Sequence, residues 1–166
     1  AMSMQIKTAL RQLETFGKPI VACINGSALG GGFELALACH RRIAIKNPAT
    51  RLGFPEVNLG LLPGAGGLVR MVRLLGLQGA MPYLTTGKLL SDQQALEADL
   101  IHQLVDSEEQ ALEAAIDWIN AHQQSIQPFE QKGYKMPGGT PGHPAMAQIL
   151  PIAPIMINNA TKGTLP

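Results

Sequence analysis

The 166-residue sequence contains few of the residues that mark nucleic-acid-binding or membrane proteins. Aromatic side chains make up 4% of it and the formal net charge is +1, so neither a base-stacking surface nor a basic binding face is expected. No apolar run approaches the length of a membrane-spanning helix. We therefore expect neither nucleic acid nor a membrane span in the function of this chain.

Cysteine and histidine are also scarce. The two cysteines, Cys23 and Cys39, lie in apolar runs and lack metal-type spacing, which predicts buried reduced thiols and favours an intracellular compartment. The four histidines are scattered and include no i, i+4 pair. No metal site is therefore expected.

The glycines do not form a nucleotide-binding motif. A G-x-G-x-x-G pattern starting at Gly30 would need glycine at position 35, which is Leu35. A P-loop ending at Lys88 would need glycine at position 82 and Ser or Thr at position 89, which are Pro82 and Leu89. Ser27 also lies outside a G-x-S-x-G elbow, which argues against a serine hydrolase of the usual α/β type.

What the sequence does contain is an alternation of helical and strand patterns, which predicts an α/β fold. Four strands are expected, over 19–24 (fully buried), 42–45, 51–54 and 100–105. Helices are expected at the start of the chain up to Gly17, over 31–40 (buried), around 68–75 up to Gly76, over 92–98 behind a Ser91 capping box, and around Trp118. The apolar faces are Ile6, Leu10, Leu13 and Phe16 in the first helix and Leu112, Ala115, Ile116 and Ile119 in the last.

The composition changes near the end of the chain. Seven of the 12 prolines follow Gln127, and no long periodic segment is found there. Proline and glycine interrupt regular elements. We therefore expect a folded portion over 1–125 and a Pro/Gly-rich linker or docking tail over 126–166.

The run Gly30-Gly31-Gly32, with Glu34 after it, is the clearest candidate for chemistry. Glycines leave backbone N–H groups unshielded, and the first turn of a helix has unpaired donors and a partial positive charge. Such a turn can stabilise a developing oxyanion. A second carboxylate, Glu56, stands 22 residues after Glu34 and directly follows Pro55, and two glutamates can exchange protons with a substrate.

Each of these features also has a purely structural interpretation. The glycines could let a helix pack closely against a strand. Glu34 could stabilise the helix dipole, and Glu56 could be a solvated loop acid. Basic residues nearby (Arg41, Arg42 and Lys46) are interpreted as a solvated strand edge.

The chain resembles the crotonase (enoyl-CoA hydratase/isomerase) superfamily in three ordered blocks. The first comprises KPIVA at 18–22 and NGSALGGGFELA at 25–36. The second comprises LGFPEV at 52–57 and LGLLPGAGG at 59–67, and the third LTTGK at 84–88 with residues 95–105. The resemblance runs from about Leu10 to Ile119. The ACHRR sequence at 38–42 and the glutamate spacing are most similar to the hydratase regions of multifunctional fatty-acid oxidation proteins.

This resemblance implies a crotonase (ClpP-like) ββα spiral and a lyase that adds water to trans-2-enoyl-CoA in fatty-acid β-oxidation. Gly31 would donate a backbone N–H to the thioester oxygen of the acyl-CoA, within a substrate-binding turn of Leu29, Gly30, Gly31 and Gly32. Glu34 and Glu56 would hold the water and handle the proton at C2. Which glutamate is the acid and which the base stays open.

The resemblance also implies partners and a location. Acyl-CoA is the substrate and no further cofactor is expected, with NAD required only if a dehydrogenase part follows. A homo-oligomer or a fatty-acid oxidation complex is expected. The location would be cytoplasmic in a bacterium, and mitochondrial or peroxisomal in a eukaryote.

Some features depart from the family pattern. Only 17 residues precede Lys18, whereas relatives carry the second oxyanion donor and an adenine-binding loop upstream of that strand. The spiral is therefore expected to be incomplete at its N-terminus, and the chain to be a nearly inactive fragment. Asp99 replaces a frequent glycine, a mild change because Asp tolerates a left-handed backbone. Pro82 is tolerable only in the first turn of its helix.

Two other functions stay open at this point. An enoyl-CoA isomerase or another crotonase-type acyl-CoA enzyme could use the same fold, since a fold does not determine a reaction. A non-catalytic acyl-CoA-binding or assembly module is the alternative from a different class. The presence of two glutamates favours hydration, because one carboxylate can suffice for isomerisation.

Overall fold

The computed structural model describes residues 2–140, 142–149 and 151–160. The strands are β1 (Val21–Ile24), β2 (Ala28–Leu29), β3 (Arg41–Ile45), β4 (Leu52–Gly53) and β5 (Gln103–Val105). The helices are α1 (Met2–Glu14), α2 (Gly31–Ala38), α3 (Gly67–Thr86), α4 (Asp92–Glu97), α5 (Glu108–Ala121), α6 (Pro144–Ile149) and α7 (Ala153–Ala160), with 3-10 turns at Pro55–Leu59 and Pro128–Glu130. None of the helices in the described ranges is long and apolar enough to cross a membrane.

Two small parallel sheets organise the fold. One has the strand order β1-β3-β5, with Ile43 of β3 paired with Cys23 on one side and Gln103 on the other. The second consists of β2 and β4. Parallel neighbours need a crossover connection, and α2 supplies the one between β1 and β3. The predicted α/β fold is confirmed.

The main core lies around α2, which was predicted as a buried helix. Phe33 and Leu37 of α2 pack with Phe54 and Met71, and all four are essentially inaccessible to solvent. The Phe33 and Phe54 rings lie 5.3 Å apart between centroids. Burying a side chain of this size stabilises the fold by about 1.5–3 kcal/mol. The helix ends at Ala38, earlier than predicted, and Leu35 on its outer side is exposed.

The predicted burial was wrong at the start of the chain. In β1 only Ile24 is buried, and Cys23 is exposed, so the prediction of buried thiols is right for Cys39 alone. On the predicted apolar face of the first helix, Leu10 is buried and Ile6 is exposed, while Phe16 is exposed and lies beyond the end of α1 at Glu14. An apolar run indicates a strand or helix but not which side another element covers.

The interpretation of Arg42 as part of a solvated strand edge was wrong, because β3 is the central strand of its sheet. Arg42 is fully buried, and its guanidinium donates hydrogen bonds to the carbonyl oxygens of Leu100 and Cys39. Burial lowers the pKa of Arg42 to about 10. Burial, with the Arg42 charge beside it, lowers the pKa of His102 to about 3, so that imidazole is neutral near pH 7. Lys46 is exposed and pairs with Asp106 at 2.8 Å.

Helix α5 buries a different face from the predicted one. Ala111 and Ala115 pack against the sheet, whereas Leu112, Ile116 and Ile119 are exposed. Of the four residues predicted to form its apolar face, only Ala115 is buried. Small side chains let a helix approach a sheet closely. Helix α5 therefore packs its alanine face on the sheet and leaves its larger apolar residues exposed.

Local chain-breaking features are largely as predicted. The Ser91 capping box opens α4, and Asp99 has φ of 55°. At Gly76 the helical path is broken by φ 73° and ψ 170°, but α3 resumes and continues to Thr86. Pro82 therefore lies beyond the first turn after the break, contrary to the expectation that it would occupy a first turn.

The segment after α5 packs on the helices that precede it. Glu130 pairs with Arg11 of α1 at 2.9 Å, and the Tyr134 hydroxyl donates to the carbonyl of Arg73 in α3. At the Gly76 break, a Cβ would lie 2.1 Å from the Pro137 carbonyl oxygen, so only glycine fits. The predicted domain boundary between residues 125 and 126 stays a prediction, and part of the predicted tail lies outside the described residues.

Candidate functional site

The first turn of α2 presents free backbone donors. The Gly30 N–H donates to the Gly53 carbonyl at 2.9 Å, while the Gly30 carbonyl accepts from the N–H groups of Phe33 and Glu34. Within the described part of the chain, the N–H groups of Gly31 and Gly32 have no acceptor. Both glycines are exposed. The turn can therefore donate to an oxygen of a ligand.

Glu34 lies one turn inside α2 and is 3% exposed. Its Oε1 atom accepts hydrogen bonds from the N–H groups of Ala65 at 2.8 Å and Gly67 at 2.7 Å. These two bonds stabilise a buried carboxylate and fix its orientation. A Cβ on Gly67 would lie 2.5 Å from the Phe54 ring and 2.8 Å from Glu34 Cγ, so this position requires glycine.

Glu56 reaches the same end of α2 from the 3-10 turn that begins at Pro55. A Cβ built on Gly30 would lie 2.8 Å from Glu56 Oε1, which places this carboxylate directly against the turn. Its Oε2 atom is buried and has no hydrogen-bond partner in the described ranges. A buried polar atom of this kind is normally satisfied by water or a ligand.

Exposed apolar side chains adjoin both glutamates in the sequence. Leu29, immediately before the glycine run, is 41% exposed. Leu59, Leu61 and Leu62, which follow Glu56, are 75%, 58% and 58% exposed. Exposed apolar residues in such number are typical of binding surfaces.

His40 connects α2 to the elements around it, a role that the scattered histidine pattern did not predict. Its Nδ1 accepts from the Ile20 N–H at 3.1 Å, which leaves the proton on Nε2 to donate to the Glu14 carbonyl at 3.1 Å. Burial lowers the pKa of His40, in agreement with this neutral tautomer. The ring therefore holds the end of α1 against the start of β1.

The sequence-predicted residues converge at one place. Glu34, Glu56 and the Gly30-Gly31-Gly32 run meet at the N-terminal end of α2, with Leu29 adjoining them. Their chemical roles stay predictions. Ala65 and Gly67 were not predicted as the donors to Glu34, although a glycine-rich segment such as PGAGG at 63–67 is typical of a close backbone approach. In the described ranges no three His, Cys, Asp or Glu side chains are grouped as metal ligands.

Comparison with known proteins gives a consistent result. The family model described as "Enoyl-CoA hydratase/isomerase" matches residues 1–132. The chain is 49% identical over 104 residues to the fatty acid oxidation complex subunit alpha of Shewanella halifaxensis, covering 63% of this chain and 15% of that protein. It is 38% identical over 168 residues to the subunit alpha of Shewanella amazonensis, covering 99% of this chain and 22% of that protein.

A solved structure supports the same assignment. The crystal structure of an enoyl-CoA hydratase from Bacillus anthracis superimposes with a TM-score of 0.63 at 41% identity, covering 69% of this chain and 45% of that one. The predicted crotonase-type fold is confirmed by this likeness. The chain spans less than a quarter of the length of the two curated relatives.

Proposed function

Because this chain belongs to the enoyl-CoA hydratase/isomerase family, we propose that it provides the two carboxylates and one oxyanion donor of an enoyl-CoA hydratase acting in fatty-acid β-oxidation. The observation that carries the proposal is the convergence of Glu34 and Glu56 on the free N–H groups at the start of α2. The names of the relatives, a fatty acid oxidation complex subunit alpha and an enoyl-CoA hydratase, agree with it.

The reaction would proceed through the thioester carbonyl. A water oxygen adds to C3, the C2–C3 π electrons shift toward the carbonyl oxygen, and C2 then takes up a proton. The Gly31 N–H would donate to that oxygen as its negative charge develops, so the donor stabilises the transition state more than the substrate. One such donor typically contributes about 3–4 kcal/mol.

The two carboxylates would divide the proton transfers. One accepts a proton from the attacking water, and the other delivers a proton to C2. Glu34 is already fixed by the Ala65 and Gly67 N–H groups, so its orientation requires no reorganisation during the reaction. The assignment of acid and base to Glu34 and Glu56 stays open.

We also propose that the 166 residues act as part of a longer protein, a proposal supported by their coverage of 15% and 22% of two curated relatives. The second oxyanion donor would then come from residues outside this chain, and the chain alone would have little activity. Acyl-CoA would be the substrate, and NAD would be needed only by an attached dehydrogenase part. Assembly into a homo-oligomer or a fatty-acid oxidation complex, and the locations expected from the sequence, belong to the same proposal.

The test is replacement of each glutamate in the natural full-length protein. Glu34→Gln and Glu56→Gln keep the side-chain size but remove the ability to exchange a proton. Each should lower the rate at which the enoyl thioester absorbance disappears by about 10²–10⁴-fold. Glu113→Gln, at an exposed position of α5, is the matched control and should leave the rate within about twofold. Unchanged turnover in both Glu34 and Glu56 variants would contradict the proposal.

A further inference from the structure

A buried ion pair lies behind the candidate site. Glu14, the last residue of α1, and Arg70, in the first turn of α3, are 4% and 5% exposed. Arg70 Nε lies 2.9 Å from Glu14 Oε1 and Arg70 Nη2 lies 3.1 Å from Glu14 Oε2. This bidentate ion pair fixes the plane of the guanidinium. Stability alone is a weak explanation for it, since apolar residues of similar volume often stabilise a core as well.

Arg70 makes a third contact, with the loop that precedes α3. Its Nη1 donates to the Ala65 carbonyl at 3.1 Å. A Cβ on Gly66 would lie 2.6 Å from the same nitrogen, and Gly66 has φ of +102°. The guanidinium therefore lies directly against the 65–67 backbone, in a space that only glycine leaves open.

Two of the residues in this 65–67 segment hold the Glu34 carboxylate. The N–H groups of Ala65 and Gly67 donate to Glu34 Oε1 at 2.8 and 2.7 Å. The Ala65 peptide segment thus contacts Arg70 through its carbonyl and Glu34 through its N–H. We infer that Glu14 and Arg70 are positioning residues: together they fix the loop whose two N–H groups orient Glu34.

The inference rests on the proposed function in one respect, that Glu34 takes part in the reaction. Its geometric part can be tested separately in the 166-residue chain. Glu14→Gln removes the negative charge that pairs with Arg70 and leaves Glu34 and the sequence of the loop unchanged. The amide protons of Ala65 and Gly67 should then exchange with solvent at least about tenfold faster, because their hydrogen bonds open more often.

Glu130→Gln is the matched control for that measurement. Glu130 is more exposed and belongs to the same charge cluster, because its partner Arg11, at 2.9 Å, also donates to Glu14 Oε2 at 2.7 Å. It contacts neither Arg70 nor the loop through any hydrogen bond in the described ranges. Exchange at Ala65 and Gly67 should stay unchanged in this variant. Equal exchange in the Glu14→Gln variant and the unmodified chain would overturn the inference.

Kinetics in the natural full-length protein give the second readout. Glu14→Gln should lower kcat by about 10- to 100-fold, the loss expected from a small misplacement of a reacting group, while KM stays within about twofold. The double variant Glu14→Leu/Arg70→Met removes both charges and keeps the volume apolar, so it should fold stably. It should nevertheless keep the low kcat, because nothing then holds the Ala65 carbonyl.

The outcomes separate positioning from a purely structural role. A double variant that recovers the unmodified kcat would show that the pair only stabilises the fold, and would overturn the inference. If Glu34→Gln abolishes turnover while Glu14→Gln changes neither kcat nor amide exchange, the inference fails and the proposed function stands. If Glu34→Gln and Glu56→Gln both leave turnover unchanged, the proposed function fails, and the exchange result alone decides whether the pair orients the Glu34 carboxylate.

Discussion

At the scale of single residues, Gly30 and Glu56 are in direct contact. A Cβ on Gly30 would lie 2.8 Å from Glu56 Oε1, closer than side-chain atoms normally approach, and Gly30 has φ of +54°. Because Gly30 has no side chain, the Glu56 carboxylate can occupy this space. Gly30, which the sequence placed in the candidate turn, therefore also contributes to the geometry of the site by the space it leaves open.

Replacing Gly30 with alanine tests this contact. Gly30→Ala should displace Glu56 and lower hydration by the full-length protein by at least about tenfold, because a misplaced reacting group is costly. Gly26→Ala is the matched control, since Gly26 also has positive φ, at +96°, but no atom within 4 Å of its Cβ position. Both variants bear a backbone cost of about 1–2 kcal/mol. Equal activity of the two variants would refute the contact as a determinant of the site.

Residue types and spacing singled out Glu34, Glu56 and the glycine run, which the structure brings together at one end of α2. They could not identify Glu14, whose partner Arg70 lies 56 positions away in the sequence. A surface helix commonly ends in a charged residue, so nothing local marks Glu14 as buried. Long-range pairs of this kind depend on how α1 packs against α3, which periodicity does not specify.

At the scale of elements, α2 is fixed at its C-terminal end and open at its N-terminal end. The last carbonyls of a helix lack partners within the helix. The Gln127 side chain is fully buried and its Nε2 lies 3.2 Å from each of the carbonyl oxygens of Leu37, Ala38 and Cys39. The segment after α5 thus secures the helix whose other end carries the candidate site.

Removal of this cap should destabilise the chain. Gln127→Ala removes the donor to the Leu37 and Ala38 carbonyls, while Cys39 keeps its bond from Arg42. It also creates a cavity, so the free energy of unfolding should fall by about 2 kcal/mol. Gln123→Ala is the control, because Gln123 is exposed and, among the residues that the structure describes, donates only to the Asn120 carbonyl. Urea unfolding of both variants checks the expectation. Equal midpoints for the two would show that the cap contributes nothing measurable.

Elements with local signals were predictable, and those decided by packing were less so. The Ser91 capping box and the Gly76 break are encoded within a few residues, and both are present. The prediction of the buried face of α5 was wrong, because Ala111 and Ala115 pack against the sheet while Leu112 and Ile116 are exposed. The sequence pattern identifies an apolar face but not the neighbour that will cover it.

At the scale of the whole molecule, segments that are far apart in the sequence meet at α2. The 65–67 loop and the Glu56 turn both meet α2, and the segment after α5 spans α1, α2 and α3. Large apolar residues that follow Glu56 in the sequence nevertheless stay exposed, including Leu59 and Leu61. Exposed apolar residues in such number are typical of binding surfaces.

The most direct test of the central claim is the product formed from trans-2-enoyl-CoA in oxygen-18 water. The natural full-length protein should yield a 3-hydroxyacyl thioester with the heavy oxygen at C3, and the Glu34→Gln variant and the isolated 166 residues should yield almost none. A shifted double bond without label would indicate an isomerase instead. Tight binding of the thioester with no product from the full-length protein would show a binding module, and either result would contradict the account.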